Sequence, residues 1–222
     1  MLHRDFQCHF YFIRHGEAEP NLHPDKIGGR AAKSPLTERG IKQARITGAR
    51  FKKEGIIFDK VYSSSCLRAV QTAEKICEVI GYDQAGIVFT PALVEFSQGE
   101  WEGRLREEVY TVETLNYINT KGSFFIPPGG ESQRMVERRV SCWLEDEILY
   151  NPEYISRKSP IHIAVVSHGL VIKCLLHYIL GCDDRLIWRF KLDYCSITQF
   201  FFGKAGWFPI CVNDSYHLHG LE

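Results

Sequence analysis

Phe10-Tyr11-Phe12-Ile13-Arg14-His15-Gly16-Glu17 is an apolar run that stops abruptly at an arginine, a histidine and a glycine. The run is short, aromatic and β-branched, which marks a buried strand rather than a helix, so its polar end lies at the edge of a sheet. Two later stretches repeat the arrangement. Lys60-Val61-Tyr62-Ser63-Ser64-Ser65 runs into Arg68, and Ile161-His162-Ile163-Ala164-Val165-Val166-Ser167 runs into His168-Gly169. In an open α/β sheet, ligands bind in the crevice beyond the carboxyl ends of the strands. The three stretches therefore bring Arg14, His15, Arg68 and His168 to one crevice. Two imidazoles and two guanidiniums suit an oxyanion better than a metal, and phosphate is the first candidate.

The 222 residues suit a single domain with a full-sized core. Lys and Arg number 27, as do Asp and Glu. A nucleic-acid binder usually carries a basic excess, so no nucleic-acid partner is expected. An anionic small substrate needs only local positive charge, which the Arg14 and Arg68 stretches supply. The eight cysteines are scattered without a C-x-x-C pair, a spacing wrong for zinc and unlike a disulfide scaffold, so most are expected to be buried free thiols. Met1 to Cys8 has no extended apolar core, and no apolar run reaches the roughly 20 residues that span a bilayer. The expectation is a cytosolic protein with no membrane partner.

Between the anchoring strands, residues 18–35 read as a long loop, a common place for function. Thr37 is placed to cap a helix over 38–53 that ends at Gly55, with Ile41, Ala44, Gly48 and Phe51 on its packed face. Ser65 is placed to cap a helix over 66–80 that buries Leu67, Val70, Ala73, Cys77 and Ile80 before Gly81. Arg68 falls in the first turn of that helix, where a cation opposes the helix dipole; an anion held there gains from both the arginine and the free N–H groups. A short strand at 87–90, a helical segment at 104–118, a Gly- and Pro-rich loop at 120–130 and a helix from about 132 to 150 follow. After the 161–167 strand come an apolar helix over 170–180 and a hairpin of 197–202 with 207–212, joined by Gly203-Lys204-Ala205-Gly206. The order predicts a three-layer α/β/α sandwich with a mostly parallel mixed central sheet. Residues 99–130 are read as an insertion covering the crevice within one domain, 1–222.

Six ordered blocks carry a resemblance. They are Arg14-His15-Gly16-Glu17 with Asn21; Leu36-Thr37-Glu38-Arg39-Gly40 with Gln43-Ala44; Tyr62-Ser63-Ser64 with Leu67-Arg68-Ala69 and Gln71-Thr72-Ala73; Leu93, Glu95 and Gly99 with Trp101-Glu102-Gly103; Gly129-Gly130-Glu131-Ser132; and Ser167-His168-Gly169. Together they resemble the histidine phosphatase superfamily, also called the phosphoglycerate mutase-like family.

The resemblance implies that His15 is the nucleophile that becomes phosphohistidine, and that Arg14, Arg68 and a protonated His168 stabilise the phosphoryl oxygens without a metal or other cofactor. It implies that Glu95 is the proton donor, a role that needs a carboxyl held protonated by burial or by nearby phosphate. Asn21 is expected to add a hydrogen bond to phosphate, and Gly169 its backbone N–H. His162, His177, His217 and His219 are expected to be structural, and Cys66 stands too near Arg68 for a cysteine-phosphatase loop.

A cofactor-dependent mutase of this family usually has Trp before the position of Asn21 and an Arg-His-Tyr run after the acid. Here Pro20 and Phe96-Ser97-Gln98 occupy those places, which favours hydrolysis of a small phosphorylated substrate over isomerisation. A non-catalytic phosphate-recognition module is the other alternative; it is expected to lack His15 or Glu95, and both are present. Lys26, Arg30, Arg104, Arg106 and Lys121 are candidates for a second anion or plain surface charges. Trp101, Tyr110, Phe124 and Phe125 suggest an apolar or aromatic phosphoester.

Overall fold

The computed structural model describes residues 6–157 and 159–221. These form one sheet in the order β3-β2-β4-β1-β5-β6, made of β1 (Cys8–Arg14), β2 (Lys60–Ser64), β3 (Ile87–Thr90), β4 (Ile161–Ser167), β5 (Ile197–Gly203) and β6 (Gly206–Asp214). β1 to β4 pair in parallel, while β5 and β6 add an antiparallel flank beside β1. Alternate residues of β1 serve opposite faces. Tyr11 and Ile13 pack with Phe51 and Ala73 of α1 (Glu38–Lys53) and α2 (Leu67–Ile80), and Phe10 and Phe12 pack with Val140 and Leu175 of α5 (Gln133–Leu144) and α7 (Gly169–Leu180). A strand covered on both faces must be apolar throughout, which is why β1 shows no alternation in sequence. The molecule is an α/β/α sandwich with a mostly parallel mixed sheet.

Register sets the site. Arg14 stands opposite Ser167 and Ser63 opposite Val166, so β1, β2 and β4 end at one level and release their loops into one crevice.

Thr37 caps α1 through Gly40 N–H at 3.0 Å, as its sequence indicates. The α2 cap is different. Ser65 is exposed; Cys66 is the N-cap residue, without a side-chain cap bond, and its own N–H donates to Ser64 Oγ at 3.2 Å. The packed face of α2 is also rotated, to Arg68, Ala69, Thr72, Ala73, Ile76 and Cys77, because the helix must deliver Arg68 inward. The helix expected over 104–118 is two, α3 (Arg106–Val109) and α4 (Val112–Lys121), divided where Thr111 caps α4 through Thr114 N–H. A threonine there competes with continued helix by satisfying a free N–H itself. Beyond Leu144, α5 widens rather than running regularly to residue 150: Tyr150 N–H reaches Glu145 O, five residues back. A single turn, α6 (Pro152–Ile155), precedes β4. The hairpin turn is only Lys204-Ala205, since Gly203 pairs with Gly206.

Candidate active site

The chain leaves β1 through a tightly fixed turn. His15 N–H donates to Ser167 O at 2.9 Å, Gly16 N–H to Thr72 Oγ1 at 3.1 Å and Glu17 N–H to Gln43 Oε1 at 2.8 Å. The start of α1 lies so close that a Cβ on Gly40 would stand 2.0 Å from Glu17 O, which only glycine permits. These contacts explain the Gly16, Gly40, Gln43 and Thr72 of the sequence blocks. They also fix His15, which is 3% exposed.

His15 Nδ1–H donates to Gly16 O at 2.7 Å, which leaves the lone pair on Nε2. That lone pair accepts Arg68 Nε–H at 3.2 Å. Burial, then Arg68 and Arg14, hold the His15 pKa well below its ordinary value, so the ring is neutral. Arg68, 4% exposed, donates its Nη groups to Arg30 O at 2.8 Å, Ala31 O at 3.1 Å and Gly29 O at 3.2 Å. The loop after Asn21 thus wraps the guanidinium. Arg14 donates to Leu192 O at 2.5 Å and lies 4.0 Å over the Tyr194 ring, while its buried Nε–H has no partner among the described residues.

His168 caps α7 and is fully buried. Its ring centroid is 5.0 Å from that of His15, and its Nε2 is 2.7 Å from Ser64 Oγ. Nδ1 is buried without a partner among the described residues. Burial, then Arg68, His15 and Arg14, push the His168 pKa well below its ordinary value. With two guanidiniums nearby, burial favours the neutral ring over the protonated His168 that the resemblance implies. A phosphate dianion reverses that balance.

Glu95 lies in the loop after β3, in the wall of the same cavity. Burial raises its pKa and outweighs the opposing pull of Phe96 N–H, which donates to Oε1 at 2.9 Å, and of Arg68, Arg14 and Arg139. Its backbone is clamped by Arg139, whose Nη groups donate to Ala92 O at 2.6 Å, Val94 O at 2.7 Å and Glu95 O at 3.4 Å. Glu131 pairs with Arg139 at 3.2 Å and Arg30 at 3.0 Å, so the Gly129-Gly130-Glu131-Ser132 block braces the Arg139 that holds the Glu95 backbone. Asn21 lines the cavity with its Oδ1 already accepting Ala18 N–H at 3.0 Å, which leaves its amide NH₂ as the donor. Gly169, the first residue of α7, has an N–H with no intrahelical acceptor.

The cavity has a volume of about 920 Å³ and its walls include Arg14, His15, Asn21, Arg68 and Glu95. Residues 101–127 form much of the rest. Trp101 stacks on Phe125 at 5.4 Å, and Tyr110 meets Trp101 edge-on. Phe124 does not join them; it is exposed, 5.6 Å from the Arg134 guanidinium. Among the cations suggested for a second anion, Lys26 and Arg106 line the cavity, Arg30 is held by Glu131, Arg104 pairs with Glu108 at 3.9 Å, and Lys121 lies 5.6 Å from the Tyr117 ring.

His162 hydrogen-bonds Tyr11 at 3.2 Å and stacks on His9, and His217 accepts from Arg50 at 3.1 Å with its pKa lowered to about 4 by burial and Arg50. His177 is more than packing: its nitrogens lie 2.8 Å from Glu137 and 2.8 Å from Asp184. The eight cysteines are free, five of them buried. Among the described residues no group of three His, Cys, Asp or Glu side chains is placed to hold a metal ion, and no helix is long and apolar enough to cross a membrane.

Inspection of the sequence alone missed Ser64 as the partner of His168, Leu192 and Tyr194 as the seat of Arg14, and Arg139 as the clamp on Glu95. Ser64 carried a usable signal, a polar residue continuing an apolar strand. Arg139 carried none, since a lone arginine in an amphipathic helix is ordinary.

Similarity to known proteins agrees with this geometry. The sequence profile of the histidine phosphatase superfamily (branch 1) matches residues 10–215. A curated relative, "Probable phosphoglycerate mutase GpmB" of Yersinia pestis, is 31% identical over 219 residues, covering 94% of each chain. Phosphoserine phosphatase of Entamoeba histolytica, solved with 3-phosphoglyceric acid, superposes with a TM-score of 0.76 at 28% identity, over 95% of this chain and 99% of its own. The alpha-ribazole phosphatase of Shigella flexneri does so with a TM-score of 0.76 at 25% identity, over 93% and 96%. This chain belongs to the histidine phosphatase superfamily, branch 1.

Proposed function

We propose that this protein hydrolyses small phosphomonoesters through a phosphohistidine at His15. The observation that carries this reading is the His15 tautomer: Nδ1–H is committed to Gly16 O, and the lone pair on Nε2 faces the Arg68 guanidinium, with Arg14 also near enough to lower the ring's pKa. Phosphate entering the site displaces the Arg68 Nε–H bond to Nε2, so the lone pair is freed at the moment Arg68 turns to a phosphoryl oxygen. Nε2 then forms a bond to phosphorus as the bond to the alcohol oxygen breaks. Arg14, Arg68, His168 through its unpartnered Nδ1, the Asn21 amide and the Gly169 N–H neutralise the equatorial oxygens. Glu95, whose pKa burial raises, gives its proton to the departing alkoxide when in its acid form. As a carboxylate it takes a proton from water, whose oxygen attacks phosphorus and releases Nε2. Residues 99–130 serve as a cover on the cavity within the single domain.

The phosphatases among the similar structures support hydrolysis, and so do Pro20 and Phe96-Ser97-Gln98 in place of the mutase residues. The name of the Yersinia relative supports the alternative, isomerisation. One experiment separates them. Phosphate release from a panel of phosphoesters is measured in EDTA for wild type and His15→Ala, alongside 3-phosphoglycerate with 2,3-bisphosphoglycerate. Hydrolysis that survives EDTA, vanishes in the variant and leaves an acid-labile phosphoprotein in wild type is expected. Efficient isomerisation overturns the hydrolase reading, and binding without turnover makes the chain a recognition module.

A further inference from the structure

Beside the main cavity lies a second, of about 620 Å³, bordered by Gly169, Lys173, Arg189, Phe190, Lys191 and Leu192. The two share Arg14, Glu95, Arg106, Leu170 and Trp188 as a common wall. A ligand with its phosphoryl group at His15 can therefore extend into the second space past Arg14. Lys173 stands on α7 one turn after Gly169, half-buried, its ammonium 5.8 Å from the Trp188 ring. Trp188 is itself 60% exposed, so the indole roofs the lysine rather than belonging to the core. Lys191 is already paired with Asp193 at 3.0 Å. Lys173 and the exposed Arg189 have no carboxylate within ion-pair distance among the described residues, and of the two it is Lys173 that is drawn partly out of water.

A cation drawn partly out of water beside apolar walls, with no counter-charge, is costly unless an anion joins it. Glu95 is the carboxyl in the wall, and burial raises its pKa, which weakens it as a counter-ion without removing it. Burial and Arg14 accordingly push the Lys173 pKa down, with Glu95 opposing only in part. Leu170, Phe190 and Leu192 line the same space and lower the polarity beside the ammonium, which strengthens an ionic contact made there.

We infer that Lys173 and Arg189 bind a second oxyanion carried on the same carbon skeleton as the scissile phosphomonoester, a carboxylate or a further phosphate. This rests on the hydrolase reading for the identity of the first group, but its test does not need turnover. Titration calorimetry is run on the His15→Ala protein with two matched pairs: 3-phosphoglycerate against glycerol 3-phosphate, and fructose 1,6-bisphosphate against fructose 6-phosphate. The doubly charged member of at least one pair is expected to bind about tenfold tighter or more, as for a hydrogen bond to a charged group, and the pair tells carboxylate from phosphate. Adding Lys173→Met and Arg189→Gln removes the preference without weakening the singly charged partner, while Lys173→Arg keeps it. Equal affinities within both pairs, or a preference that survives the double substitution, overturns the inference. A preserved preference in a wild type that releases no phosphate would instead defeat the hydrolase reading and leave the subsite standing.

Discussion

Ser64→Ala tests whether the site works through the geometry described. Ser64 Oγ lies 2.7 Å from His168 Nε2 in a fully buried setting and also accepts Cys66 N–H at 3.2 Å at the start of α2. With Nε2 occupied by Ser64, His168 Nδ1 is the nitrogen left for a phosphoryl oxygen, so the hydroxyl orients the ring. In the phosphate complex the ring gains a proton, which makes the lost contact a hydrogen bond to a charged group, worth about 1.5–3 kcal/mol. That corresponds to a fall of roughly 10- to 150-fold in kcat/KM, at about tenfold per 1.36 kcal/mol. The orphaned Cys66 N–H costs a further ~1–3 kcal/mol of stability, or a Tm lower by a few degrees for a chain of this size. Initial rates on p-nitrophenyl phosphate, with thermal unfolding followed by circular dichroism, read both. Ser65→Ala, at the exposed neighbour, is the control and should change neither. A Ser64→Ala enzyme within twofold of wild type would falsify the assigned orientation of His168.

Burial raises the Glu95 pKa, so kcat/KM for alkyl phosphates should fall as pH rises through it; Glu95→Gln should abolish that limb and cost about 10²- to 10⁴-fold. p-Nitrophenyl phosphate, whose leaving group needs no proton, should lose far less, and equal losses would remove Glu95 from the acid role. His15 and His168 both have lowered pKa values, so below an ordinary histidine pKa of about 6.5 the unfolded chain binds protons that the native state refuses. Their contribution is thus present above that pH and lost as pH falls through it; Tm should drop from pH 7.5 to 5.5, and a flat profile in this window would contradict the burial of these rings. Vanadate, as an anion in the site, should flatten the drop by raising the pKa of His168. Gly99→Ala places a Cβ 2.1 Å from Pro128 O at φ +55°, so it should destabilise the protein by about 1–3 kcal/mol in urea titration; an unchanged midpoint would refute the close packing of 99 against 128.

The ends of β1, β2 and β4 were readable because each follows a local rule, a buried apolar run closed by polar residues, and because parallel strands gather such ends on one edge. Thr37 as a cap and Gly81 as a stop were readable for the same reason, since a cap acts on the few residues beside it. The rotated face of α2 was not. Its apolar residues suggested Leu67, Val70 and Ile80, but the helix turns Arg68 and Thr72 inward to meet His15, Gly16 and the 29–31 carbonyls, partners far away in sequence.

What the sequence alone determined, then, is the order of the strands, the family, and the presence of a histidine, two arginines, a second histidine and a glutamate around the crevice. Those depend on residue type and on spacing along the chain. Only the tertiary structure decided which nitrogen of His15 carries the lone pair, that burial beside two arginines favours the neutral ring of His168, and that Lys173 and Arg189 border a cavity that Arg14 also lines. Each of these depends on distances between elements up to about a hundred residues or more apart, and on how much water the packing leaves between them. Burial and hydrogen-bond partners set a protonation state, and neither is a property of the residue by itself.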